Sequence, residues 1–66
     1  MTLVVNGERS AVEPPVTVAD LLVAIAAPER GVAVAVDGAV VPRSEWAAHT
    51  LAGGEQVEVL TAVQGG

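Results

Sequence analysis

The chain has no cysteine, no lysine, no phenylalanine and no tyrosine, and holds a single tryptophan and a single histidine among its 66 residues. Without cysteine there is no disulfide framework, no thiolate metal site and no cysteine nucleophile. His49 alone cannot make a histidine-based zinc site, which takes several nitrogen or sulfur ligands. With only three arginines against eight acids, and a net charge of −5, there is no basic patch to attract a phosphate backbone. Nucleic acid is a poor partner for such a chain, whereas a basic protein surface is a good one. The N-terminus carries no cationic leader followed by a long apolar core. The apolar run Leu21 to Ala27 is far shorter than the roughly 18 residues of a membrane span. Both absences, together with the absence of cysteine, lead us to expect a cytoplasmic protein without a membrane segment.

What remains is a small aliphatic chain. Its apolar residues are dominated by 14 Val and 12 Ala, so the interior must be built from small branched side chains, with Trp46 as the one large filler. Chains below roughly 70–80 residues have only a few kcal/mol of core stability, and one of this length makes a single domain. It is also too small to enclose a ligand pocket of about 300 Å³ or more, so a self-contained enzyme is not expected.

Two turn signals divide the chain. Asn6-Gly7 follows Leu3-Val4-Val5, and Asp37-Gly38 lies between Val32 to Val36 and Val40-Val41. Both dipeptides suit the positive φ angles of a tight hairpin turn. Beyond the first, Arg9, Ala11 and Glu13 alternate with Ser10 and Val12 until Pro14-Pro15, which cannot donate to a ladder. Between the hairpins, Val18, Leu21, Leu22 and Ile25 share one helical face. Thr17 is placed to cap that helix with Asp20 as the reciprocal acid, and Pro28 and Gly31 close it, giving about ten residues. Gly53-Gly54 marks a turn before a last strand, in which Val57, Val59, Thr61 and Val63 share a face opposite Gln56, Glu58, Leu60 and Ala62. Arg43 to Leu51 is polar and irregular.

Hairpin, helix, hairpin, irregular segment and strand fit an α+β fold of the β-grasp, ubiquitin-like type. We expect a mixed sheet of four to five strands with one helix packed across one face, and the last strand returning beside the first. The domain is expected to span residues 1–63, with 64–66 as a diglycine tail that has nothing to bury.

Side-chain chemistry is sparse. Ser10 and Ser44 have no partner that spacing places nearby, and Ser44 with His49 lacks a third group. His49 reads most simply as a loop histidine. The pairs Glu8/Glu13 and Glu55/Glu58 read as solvated faces and strand-edge protection. The remaining candidate is the terminus itself. Gln64-Gly65-Gly66 follows a strand, and a tail free of side chains at its end can enter a narrow channel and bring the Gly66 carboxylate to a nucleotide phosphate. Adenylation would make that carboxylate an acyl donor to a sulfur nucleophile. Next to it, Leu60 and Ala62 form an apolar patch for a docking partner, with Glu58 steering basic surfaces and Arg43 as a further contact.

The β-grasp order, the terminal Gly65-Gly66 and the stretch Val40-Val41-Pro42-Arg43-Ser44-Glu45-Trp46 after the Asp37-Gly38 turn resemble the sulfur carrier proteins of thiazole biosynthesis, the ThiS family. The resemblance covers the whole chain. It implies that a ubiquitin-activating-like enzyme (ThiF) uses ATP to adenylate Gly66. A persulfide derived from a cysteine desulfurase then leaves a thiocarboxylate, from which thiazole synthase (ThiG) draws sulfur for the thiazole of thiamine. It implies a carrier rather than an enzyme, with no bound cofactor. The terminal diglycine is shared with carriers for molybdopterin and tRNA thiolation and with ubiquitin-like protein modifiers, and these stay open as alternatives. The absence of lysine would prevent the activated terminus from acylating its own chain, but a preference for arginine codons accounts for it equally well.

Overall fold

Asn6-Gly7 and Asp37-Gly38 both adopt left-handed backbone angles, with φ of 50° and 83° at the first and 49° and 85° at the second. This is the geometry that lets a two-residue turn follow the twist of paired strands. In the computed structural model, which describes residues 1–62, the first turn joins β1 (Thr2–Val5) to β2 (Glu8–Ala11). The second joins β3 (Val32–Val36) to β4 (Ala39–Val41). Between the hairpins lies α1 (Val18–Ala24), and a single 3-10 turn (Arg43–Glu45) precedes β5 (Gln56–Thr61). The strands form one five-stranded sheet in the order β2-β1-β5-β3-β4. The last strand therefore occupies the centre, parallel to β1 and antiparallel to β3. This is the β-grasp arrangement expected from the order of elements.

Alternation sorts the sheet into two faces. Leu3, Val5, Val34, Val36, Val41, Val57 and Val59 are buried on one side with Val18, Leu21 and Leu22 of α1. Val16 and Leu51 complete a core made only of Val and Leu. Trp46 is not inside it. The ring is half-buried at the margin, where its Nε1–H donates to the Val41 carbonyl at 2.9 Å. An indole N–H needs such an acceptor, which is found at the edge of β4 and not among aliphatic side chains.

The helix is shorter than its periodicity suggests. Ile25, expected on the buried face, is 40% exposed and forms the C-cap. Ala26 takes a left-handed φ of 56°, its N–H donates to Val23 O, and the Ala27 N–H donates to Leu22 O. These two bonds are a Schellman closure, and they stop the helix at seven residues by turning the chain away after Ala24. At the other end every exposed helix donor is met. Val18 and Ala19 donate to the carbonyls of His49 and Trp46, Asp20 N–H to Thr17 Oγ1, and Leu21 to Thr17 O. The Asp20 carboxylate accepts from Thr17 N–H at 3.0 Å, completing the expected capping box. The irregular segment after β4 thus supplies carbonyls to the helix N-terminus.

Thr61 shares the parity of Val57 and Val59 but is exposed. Its partner Val32 is only half-buried, so the final pair of the β3–β5 ladder lies outside the core. Val63 and the expected tail 64–66 lie outside the described residues.

Candidate functional site

Central placement of β5 determines what holds the last strand. On one side β5 runs antiparallel to β3 over five residue pairs, from Val36↔Val57 to Val32↔Thr61. On the other its parallel pairing with β1 covers only Val4↔Gln56 and Val5↔Val57. Two turn residues extend this grip. The Asn6 side chain accepts from Val59 N–H at 2.8 Å and donates to Val59 O at 3.2 Å, standing in for a further strand residue. Asp37 accepts from Gln56 N–H at 2.8 Å and donates its own N–H to Gln56 O. Each turn therefore holds the strand as well as reversing the chain. Beyond β5, the Ala62 N–H donates to Gly31 O at 2.6 Å. Gln64, Gly65 and Gly66, the expected tail and reacting residue, lie outside the described residues.

Leu60 and Glu58 fall on the sheet face away from α1. Leu60 is 64% exposed and pairs with Ala33; Glu58 pairs with Ala35, which in turn pairs with Val40, 76% exposed. Ala62 is exposed one residue past the strand. The outer face therefore presents Leu60, Ala33, Ala35 and Val40 as one apolar surface, with Glu58 within it. The contributions of Ala33, Ala35 and Val40 were not singled out from the sequence, although the Val-Ala alternation of β3 carries that signal. Arg43 does not join this group. It lies in the 3-10 turn with its guanidinium carbon 5.6 Å from the centroid of the Trp46 ring, a cation–π contact. Arg43 and Trp46 border an open hollow of about 170 Å³ walled by Leu22, Val23 and Ala27 of the helix side. That volume is below the roughly 300 Å³ at which ligand pockets begin.

Among the described residues no side chain offers a catalytic constellation. No polar or charged side chain is buried, and no group of three or more His, Cys, Asp or Glu could hold a metal. His49 is half-buried, and its backbone carbonyl serves the helix N-terminus. No helix among the described residues is long and apolar enough to cross a membrane.

A mixed five-stranded sheet with its last strand at the centre and one helix packed across one face is the β-grasp fold of ubiquitin-like domains. The model of the ThiS family matches residues 3–66, and this chain belongs to that family. The crystal structure of a thiamine biosynthesis protein (ThiS) from Geobacter metallireducens superposes with a TM-score of 0.83 at 35% identity, covering 100% of both chains. A solution NMR structure of a thiamine biosynthesis protein from the same organism gives the same TM-score and identity over 100% of this chain and 88% of that one. No curated protein sequence matches.

Proposed function

We propose that this chain is the sulfur carrier for thiazole formation in thiamine biosynthesis, and that the Gly66 carboxylate is its reacting group. The observation that carries the reading is the family match, which spans residues 3–66 and so includes the last glycine. Among the described residues no buried polar side chain and no metal-holding cluster competes with the terminus for that role, which is in keeping with the reading.

The chemistry follows from what a carboxylate needs. An oxygen of Gly66 attacks the α-phosphorus of ATP held by an adenylating enzyme of the ThiF kind, and pyrophosphate leaves. The mixed anhydride has AMP as a good leaving group. A persulfide formed by a cysteine desulfurase displaces it, and a thiol then reduces the resulting acyl disulfide, releasing the thiocarboxylate and a new disulfide. Thiazole synthase of the ThiG kind consumes the thiocarboxylate sulfur. The domain acts as a co-substrate and not as a catalyst; it binds no cofactor of its own, and ATP belongs to the partner. These steps place it in the cytoplasm, where ATP and thiols are available.

Docking uses the outer face. Leu60 with Ala33, Ala35 and Val40 supplies apolar area on and next to the strand that leads to the tail, and Glu58 favours a basic rim on the partner. Ala62 joins the docking surface where the chain leaves it, while Gln64 and Gly65 thread the channel. Arg43 serves at most a second contact, since it stacks on Trp46 and not on the patch. The test is pyrophosphate release from ATP by the adenylating enzyme in the presence of the chain. Release that depends on the chain supports the carrier assignment, and no release contradicts it.

A further inference from the structure

We infer that the Gly31–Ala62 pair fixes the direction in which the C-terminal segment leaves the sheet, which makes Gly31 a positioning residue for the reacting terminus; this rests on the carrier reading above. Four glycines among the described residues have positive φ. At Gly7, Gly38 and Gly54 a Cβ would meet nothing within 4 Å, so the turn conformation alone accounts for glycine there. Gly31 differs. Its φ is 72°, and a Cβ would lie 3.2 Å from the Ala62 Cβ and 3.7 Å from the Ala62 nitrogen. The same Ala62 nitrogen donates to Gly31 O at 2.6 Å.

Gly31 and Ala62 are in register with the β3–β5 ladder, one step beyond Val32↔Thr61. This pair is therefore the last described hold on the strand before the chain continues to Gly66. A side chain at position 31 is disfavoured by conformation and would be tight against Ala62. A Cβ at position 31 requires Ala62 to give by a few tenths of an ångström, at the residue from which the chain continues towards the carboxylate that must reach a phosphorus atom. Leu60, Ala33, Ala35 and Val40 occupy other positions of the sheet, so the displacement acts only at Ala62, where the docking surface meets the tail, and is expected to weigh on presentation more than on binding.

The test uses full-length chains in the pyrophosphate-release assay with the adenylating enzyme and ATP, with thermal melting as the measure of folding. Gly31→Asn retains a residue that accepts the left-handed conformation but introduces the Cβ. We expect a folded domain whose kcat falls about tenfold while KM stays within about twofold. Adding Ala62→Gly removes the closest contact and is expected to restore most of kcat. Unchanged kcat in Gly31→Asn overturns the inference, and so does a loss that Ala62→Gly fails to relieve. Should Gly31→Asn not fold, Ala62→Pro breaks the same pair from its other side, replacing the N–H donor by a ring carbon against the Gly31 carbonyl. A fall in kcat there supports the inference, and a wild-type kcat overturns it. A wild-type chain that releases no pyrophosphate refutes the carrier reading itself, and with it this role for Gly31.

Discussion

Ala26 and Asn6 both hold left-handed backbone angles, and the two residues differ in what they gain from it. Ala26 gains only the helix closure, at a steric cost of roughly 1–2 kcal/mol that glycine would not carry. Glycine at this position also raises the entropy of the unfolded chain, which returns part of the gain. Ala26→Gly is therefore expected to stabilise the domain by about 0.5–1 kcal/mol, read as a rise in the urea midpoint with an unchanged slope. Asn6 has a second task, the two-way hydrogen bond to Val59. Asn6→Gly keeps the turn and deletes that bond, leaving a partly buried N–H and C=O on β5 to find other partners. A loss of about 1–2 kcal/mol is expected from two hydrogen bonds. A variant as stable as the parent would show that the clamp contributes nothing.

At the scale of elements, α1 is stabilised by what packs on it and by how its ends are closed, since seven residues are too few to stand alone. Leu22 is buried against the sheet, and Leu22→Ala is expected to cost about 2–5 kcal/mol in chemical denaturation. For a domain of this size that is a large share of the total. The helix start was legible in Thr17 and Asp20 because a capping box is written in adjacent residues. Its end was not, because an alanine in a left-handed conformation leaves no compositional mark; the 3.6-residue pattern continued to Ile25 while the backbone had already turned. Both hairpins were legible from Asn6-Gly7 and Asp37-Gly38, but their hold on β5 was not. That hold depends on which strand comes to lie beside each turn, a fact of tertiary structure. Trp46 was expected in the interior for its size alone, and the need of its N–H for an acceptor drew it to the edge of β4.

Over the whole molecule, the two faces of the sheet have separate work. One buries the Val and Leu core under α1, and the other presents Leu60, Ala33, Ala35 and Val40. Of this outer surface, Leu60 and Glu58 were legible from strand parity, while the neighbours that make a patch of them follow from register. Leu60→Glu is expected to raise KM for the adenylating enzyme about tenfold or more with kcat little changed, as loss of a central apolar contact does. An unchanged KM would remove the outer face from the docking account. With a net charge of −5, association with a basic partner surface should also slow as salt is added. An on-rate independent of ionic strength would show that charge does not steer the encounter.

The most direct test of the central claim is the intact mass of the chain after incubation with adenylating enzyme, ATP, cysteine desulfurase, cysteine and a thiol. The full-length chain and a variant lacking Gly66 are compared. Removing Gly66 leaves a carboxylate on Gly65, but withdraws it by about 3.3–3.6 Å of extended chain, a displacement that catalysis tolerates poorly. The domain itself keeps every described core contact, because the core ends at Val59. One oxygen-to-sulfur exchange is expected in the C-terminal peptide of the full-length chain and almost none in the shortened one. Equal sulfur transfer to both, or sulfur found elsewhere in the chain, would contradict it.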